Sequence, residues 1–173
     1  MSRKKRRSKL ELFQRNAAGE YIYTGGHMRY ADAKKPRRRM LAELWAMGLL
    51  GTLCFLAGGF LPVPGFTGCF YVLGPYVAAL IAAAGSLWTL GELTGARDPI
   101  RQYVYDATVL RLPVWALIAG ITGGMCVLGE GLYLIKNGGG LGIAAAFLVL
   151  EAVGTTAMLL FRSTIRRGKW TEN

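Results

Sequence analysis

The sequence predicts an all-α integral membrane protein with four transmembrane helices, and three observations support this fold class. Four stretches carry almost no ionisable side chains, and each has about the 20 helical residues that cross the ~30 Å hydrocarbon core of a bilayer. Hydrophobic residues make up 53% of the chain, although its formal net charge is +11. The charge is segregated, because 13 of the 21 Lys and Arg residues precede residue 40. A lipid-embedded body with basic ends explains this segregation better than a soluble core does.

Residues 1–40 form a basic N-terminal segment, which we expect to be a solvated cytoplasmic tail. No long apolar run follows its first cations, so it does not resemble a secretory signal. Within it, two β-prone runs flank Gly25 and Gly26, which suit the positive φ angles of a two-residue turn. The pattern predicts a possible β-hairpin at residues 20–30. An isolated hairpin is marginally stable, so this one needs the membrane, a cytoplasmic loop or a partner to rest on.

Five cations directly before the first span predict a lipid-headgroup anchor. Each Lys or Arg near an anionic leaflet is worth about 1 kcal/mol. Glu43 lies one turn inside the span, and we expect it to pair with Arg38 or Arg39 at the interface. The anchor residues are Lys34, Lys35, Arg37, Arg38 and Arg39.

The transmembrane domain is predicted at residues 41–161 and the basic cytoplasmic tail at residues 162–173. Short turn-like connections join the first span to the second and the third to the fourth, because proline and glycine cluster there. The predicted spans lie at residues 41–61, 70–90, 114–135 and 141–161.

The longest polar break between spans, residues 97–111, predicts a short amphipathic helix on the membrane surface. Asp98 suits a helix N-cap, and Pro99 suits the first helical position. Apolar residues then recur at helical spacing and share one face, which is typical of a helix lying at an interface. This face consists of Ile100, Tyr103, Val104 and Ala107.

Small residues predict where the spans approach one another most closely. In lipid, helices associate through small side chains that let their backbones come together. Such residues recur every four positions in two of the spans. They are Ala78, Ala82 and Ser86 in the second span, and Ala116, Gly120 and Gly124 in the third.

The distribution of cations predicts the orientation. An even number of spans places both termini on one side, and Lys136 is then the one cation of the 21 on the other side. The positive-inside rule makes the basic side cytoplasmic. Trp45, Trp88 and Trp115 each fall about one turn inside that end of a span, where an interfacial aromatic belt belongs. We expect both termini in the cytoplasm and the protein in the plasma (cytoplasmic) membrane.

Two carboxylic acids lie deep inside the predicted spans, further from a span end than Glu43, and they are the candidate functional residues. Glu151 falls near the middle of the fourth span, and Glu130 lies about a turn and a half from the outer end of the third. If the spans are ideal helices, the two differ in depth by about 10 Å. Thr155, one turn from Glu151, is placed to donate a hydrogen bond to it. Intramembrane acids mark proton or cation sites, but a neutral Glu also holds helices together through hydrogen bonds.

The sequence favours a non-enzymatic protein. It contains no catalytic triad, no HExxH and no phosphate-binding loop, and its three cysteines and one histidine lack metal-site spacing. We expect no cofactor and no metal. With this hydropathy, anionic lipid headgroups explain the positive charge better than nucleic acid does.

Two functions remain open. The first is an accessory or regulatory subunit of a larger membrane complex of the transport type, acting as a homo-oligomer or with other subunits. The alternative is an oligomeric proton-coupled or cation transporter that uses Glu151 with Glu130.

Overall fold

The structure is a computed structural model that describes residues 13–15, 21–23, 25–32, 35–63, 65, 68–138 and 141–172. Four long helices dominate it, and short strands lie before, between and after them. In chain order the elements are β1 (Phe13–Arg15), β2 (Tyr21–Tyr23), β3 (His27–Tyr30), α1 (Arg37–Gly59), α2 (Phe70–Gly95), β4 (Ile100–Arg101), α3 (Gln102–Thr108), α4 (Leu112–Asn137), α5 (Leu141–Arg167) and β5 (Trp170–Glu172).

The four long helices are each long and apolar enough to cross a membrane. The structure is therefore mostly helical and is consistent with the predicted class, an all-α membrane protein with four transmembrane helices. The helices are longer than the predicted spans, because polar and charged residues at the interface continue the helical turns. In particular, α5 runs on to Arg167, and its last turn holds Arg166 and Arg167. Cations are favourable there because the C-terminus of a helix carries partial negative charge.

The long helices form a ring in which each packs on two others. α1 contacts α2 and α5, and α4 contacts the same two helices. Consecutive long helices run in opposite directions. Many of their outward-facing side chains are large and apolar, such as Leu53, Ile81 and Leu128, which are 60%, 61% and 69% exposed. This surface suits a lipid solvent.

Two apolar clusters fill the inside of the ring. The larger is centred on Phe55, Met158 and Phe161 and extends to the end of the bundle where the N-terminal end of α1 lies. The smaller lies towards the other end and contains Val63, Val72, Tyr76, Cys126 and Phe147.

A small sheet closes the end of the bundle at which α1 begins, and we call that end the sheet end. β3 lies between β4 and β5, antiparallel to both. Tyr30 pairs with Trp170, and His27 pairs with Arg101. The sheet thus joins the N-terminal segment, the α2–α3 connection and the C-terminal tail. We call β3, β4, β5 and α3 together the cap.

The strands on either side of Gly25 and Gly26 form as the sequence indicates, but they pair differently from a hairpin at residues 20–30. β2 pairs with β1, and β3 pairs with β4 and β5. The reason is that β3 pairs with β4 along one edge and with β5 along the other at the sheet end. A hairpin with β2 would provide hydrogen-bond partners for only one edge of β3.

The amphipathic helix between the second and third spans is shorter than the sequence predicts. α3 begins at Gln102, because Ile100 and Arg101 pair with β3 instead of continuing a helix from Asp98. The predicted apolar face still packs inward. Ile100 is 1% exposed and belongs to the larger apolar cluster, against which Val104 also packs.

Candidate functional site

Glu151 lies inside the bundle, between α5 and α1. Its side chain is fully buried, and a Cβ atom built on Gly58 of α1 would lie 3.0 Å from its Oε1 atom. Phe147 packs beside the same glycine. Neither carboxylate oxygen has a hydrogen-bond partner among the described residues. The glycine at position 58 is what leaves room for the carboxyl group.

Glu130 of α4 is fully buried as well, and the connection between α1 and α2 covers it. Gly65 lies so close to its Oε2 atom that a Cβ atom at position 65 would overlap the carboxyl group. No group in the described part of the chain makes a well-directed hydrogen bond to either oxygen. Burying a carboxyl group without a hydrogen bond is costly, and this applies more to Glu151 than to Glu130, because the Gly65 backbone also approaches Glu130.

The two glutamates lie closer in depth than the sequence suggests. Gly123 of α4 packs against the Thr155 hydroxyl of α5, which aligns these antiparallel helices. From that level, Glu130 lies seven residues towards the far end of the bundle, the end opposite the sheet end. Glu151 lies four residues from the same level, in the same direction. The difference of 3 residues corresponds to about 4.5 Å at ~1.5 Å per residue. The expected ~10 Å is too large because α4 extends past residue 135 to Asn137.

Cys126 lies near both acids, and Tyr76 lies near Glu151. Cys126 is one turn from Glu130 on α4, is fully buried and contacts the Val72 carbonyl with its thiol, at 3.7 Å. Tyr76 donates a hydrogen bond of 2.9 Å to the Phe55 carbonyl oxygen. The four side chains form what we call the acidic cluster: Glu130, Glu151, Cys126 and Tyr76.

Thr155 does not support Glu151 as the sequence predicts. Its hydroxyl packs against Gly123 and is buried without a hydrogen-bond partner in the described part of the chain. The close approach of α4 at Gly123 explains this arrangement, because it turns the hydroxyl towards the neighbouring helix.

The interior between the acidic cluster and the sheet end is apolar. Phe55, Met158 and Phe161 are fully buried there, together with small residues of α2 and α4. The buried hydroxyls of Thr52 and Ser86 bond to the carbonyls of their own helices, at 2.8 and 3.0 Å. Among the described residues, the acidic or basic side chains that are fully buried are those of Glu130 and Glu151. Towards the sheet end, the described interior therefore continues the cluster with hydroxyl groups, such as that of Thr155, but with no further acidic or basic side chain.

Some of the predicted packing residues are buried between helices, and others are not. Ala82, Ser86, Ala116 and Gly120 are buried, and a Cβ atom at Gly120 would meet Leu159 of α5 at 2.6 Å. Ala78 is half-buried. Gly124 has open space around its Cβ position.

Further close contacts between helices involve glycines outside the two predicted small-residue patterns. Gly51 of α1 faces Gly154 of α5, and Gly48 faces Phe161. Both glycines of α1 lie on one face, with Gly58 two turns further along, so a search for small residues at helical spacing would find them.

The residues of the predicted headgroup anchor make different contacts. Arg37 donates hydrogen bonds of 2.9 Å to the carbonyls of Leu93 and Ala96 at the end of α2. Lys35 forms an ion pair with Glu43, and Arg39 approaches the same carboxylate at 3.5 Å. Arg38 is exposed. The prediction for Lys34 falls outside the described residues.

Metal ligation finds no support in the described residues, where no three His, Cys, Asp or Glu side chains come together. Cys54, Cys69 and Cys126 are free thiols. Comparisons with family models, with curated proteins and with solved structures find no match.

Proposed function

We propose that this protein is a non-enzymatic accessory or regulatory subunit of a larger membrane complex of the transport type. The observation that carries the proposal is the cap, which joins three segments distant in sequence at one end of the bundle. Such a sheet is more than a lipid anchor needs, and it offers a folded surface to a partner. The interior beneath it is apolar, which favours a scaffold over a conduit.

The orientation follows from the charges near the cap. Arg29, Arg101, Arg166 and Lys169 are exposed there, whereas Lys136 lies near the far end. By the positive-inside rule, the sheet end and both termini face the cytoplasm. We place the protein in the plasma membrane, where its basic end meets anionic headgroups, and we propose no nucleic-acid partner.

The cap recognises an acidic surface of a cytoplasmic or membrane partner. Exposed cations lie on β3 (Arg29), on β4 (Arg101) and just before β5 (Lys169), and opposite charge speeds and orients association. Within the membrane, Gly124 and Gly131 leave open space on the outer side of α4. A partner helix or a second copy can approach the backbone there, as small residues permit in lipid.

The test is purification from native membranes in mild detergent with an N-terminal tag. We expect a partner, or a second copy of the chain, in stoichiometric amount. The double variant Arg29→Glu/Lys169→Glu should lose it, whereas Lys136→Glu, the matched charge reversal at the far end, should keep it. Recovery of the wild-type chain as a clean monomer would refute the proposal.

The second candidate is an oligomeric proton-coupled or cation transporter. It is favoured by one observation, a pair of fully buried carboxyl groups to which no described residue makes a well-directed hydrogen bond. Intramembrane acids of this kind bind protons or cations in many transporters. The candidate requires that the apolar interior near the sheet end opens. In liposomes, Glu151→Gln should abolish proton or cation flux while the fold persists, and the absence of flux from the wild type would remove this candidate.

A further inference from the structure

A polar cavity of about 270 Å³ lies at the sheet end of the seam between α1 and α5. The described lining residues include two cations, Lys35 and Arg167, and two carboxylates, Asp32 and Glu43, and Arg39 also approaches Glu43 at 3.5 Å. The lining residues are Tyr30, Asp32, Lys35, Met40, Glu43, Thr164, Arg167 and Gly168.

An apolar groove of about 310 Å³ follows on the same seam, further into the membrane-spanning part. It is open to the surroundings, since Leu50 and Leu160 at its walls are 50% and 53% exposed. Small side chains form its floor. The lining residues are Met47, Leu50, Ala152, Val153, Thr156, Ala157 and Leu160.

The cavity and the groove are neighbours along both helices. Glu43 of the cavity and Met47 of the groove are one turn apart on α1, and Thr164 and Leu160 are one turn apart on α5. The groove runs from Leu160 to Ala152, which is about 12 Å of helix. A polar cavity that leads into an apolar groove of this length has the shape and polarity of a lipid headgroup and acyl chain.

We propose that the α1–α5 seam binds one phospholipid with a zwitterionic, amine-bearing headgroup, such as phosphatidylethanolamine. The phosphate lies between Lys35 and Arg167, and the ammonium group lies against Asp32 and Glu43. One acyl chain occupies the groove. The cavity presents cations and carboxylates side by side, which matches the phosphate and ammonium groups of a zwitterionic headgroup, whereas an anionic headgroup brings no group that the carboxylates bind. The existing ion pair of Lys35 with Glu43 opens to admit the headgroup.

The headgroup is tested by native mass spectrometry of the full chain in mild detergent, titrated with phosphatidylethanolamine or phosphatidylglycerol of identical acyl chains. We expect tighter binding of phosphatidylethanolamine. Arg167→Ala should weaken it about tenfold, the effect of losing one charge-assisted hydrogen bond. The neighbouring exposed Arg166, which does not line the cavity, supplies the control Arg166→Ala, and binding should not change there. Equal effects of the two variants, or equal binding of the two lipids, would overturn the proposal.

The acyl chain is tested by filling the groove. Ala152→Trp places a large side chain in it, whereas Ala146→Trp places one on an exposed position of α5 outside it. We expect Ala152→Trp to abolish the bound lipid and Ala146→Trp to retain it, with both variants purified as folded protein. Full lipid binding by Ala152→Trp would show that the groove is not occupied and would contradict the proposal.

Discussion

Gly51 of α1 and Gly154 of α5 face each other at a close backbone approach. A Cβ atom on Gly154 would lie 3.2 Å from the Gly51 carbonyl oxygen, and one on Gly51 would lie 3.3 Å from the Gly154 carbonyl oxygen. Phe55 and Met158 pack around this contact. Glu151 is one turn from Gly154, so the approach of the two helices also determines where its carboxyl group lies.

The first prediction concerns this contact. Gly154→Ala places a methyl group 2.8 Å from the Phe55 ring, and the backbone opposite cannot move away without separating the helices. We expect a loss of about 1–3 kcal/mol in the free energy of unfolding, as for other overpacked cores. Thermal unfolding in detergent, followed by circular dichroism, measures the loss.

Gly124→Ala is the matched control, because nothing lies within 4 Å of the new methyl group. Alanine is the better helix former, so we expect no loss and at most a small gain. Equal destabilisation by the two substitutions would contradict the contact between Gly51 and Gly154.

Arg37 carries the second prediction. Its guanidinium bonds to the carbonyls of Leu93 and Ala96, which otherwise end α2 without partners. Arg37→Ala should lower the free energy of unfolding by about 2 kcal/mol, the range for hydrogen bonds from a charged group. Arg37→Lys should retain only part of this stabilisation, since an ammonium group lacks the forked pair of donors that a guanidinium group has.

Arg38→Ala is the control for charge, because Arg38 is the exposed neighbour. It should leave stability within about 0.5 kcal/mol of the wild type, as surface substitutions usually do. If Arg37→Ala and Arg38→Ala lowered the free energy of unfolding equally, the stabilisation would come from headgroup attraction and not from the hydrogen bonds to the α2 carbonyls.

The spanning helices could be predicted from the sequence because lipid imposes a simple requirement. Every backbone polar group must be satisfied within the segment, so length and hydropathy suffice to identify a helix. Glu130 and Glu151 could be identified for a similar reason, since an ionisable residue stands out in an apolar stretch. Both are buried in the bundle.

The contacts of these residues could not be predicted, because they depend on the register between helices. Hydropathy does not distinguish Gly120, which is buried, from Gly124, which faces open space. The positions of Gly58 and Gly65 against the two carboxyl groups likewise follow from tertiary packing. The cap was missed for a different reason: β3 pairs with strands about 70 and 140 residues away, whereas a local pattern indicates a hairpin.

The third prediction tests whether Glu151 stabilises the bundle. Its carboxyl group is buried without a partner in the described residues, so an apolar side chain of similar size removes an unsatisfied group. Glu151→Met should therefore raise the free energy of unfolding by about 1–3 kcal/mol. Glu151→Gln keeps an unsatisfied polar group, and we expect no such gain. A marked loss with Glu151→Met would mean that the carboxyl group makes a stabilising hydrogen bond after all.

The fourth prediction concerns Glu130 and Gly65, which are in direct contact. Gly65→Ala should destabilise the protein, because the methyl group overlaps the Glu130 carboxyl group. In the double variant Gly65→Ala/Glu130→Ala, the truncated side chain leaves room for that methyl group. We expect the double variant to be more stable than the sum of the single effects predicts, by about 0.5–3 kcal/mol as for coupled neighbours. Additive effects, measured by thermal unfolding, would show that the two residues do not touch.

The last prediction is a pH dependence of the cap. Burial, reinforced by the nearby Asp32 carboxylate, raises the pKa of Tyr30 above its ordinary value of 10.0. Between the ordinary and the raised pKa, the unfolded chain releases the Tyr30 proton while the folded chain keeps it. Stability contributed by the neutral hydroxyl is therefore complete below pH 10 and declines as the pH rises through the folded pKa.

Tyr30→Phe cannot ionise, so its cap should lose less stability above pH 10 than the wild type does. The fluorescence of Trp170, whose ring centre lies 5.3 Å from that of Tyr30, reports the change directly. Identical alkaline profiles for the two proteins would contradict the assignment to Tyr30.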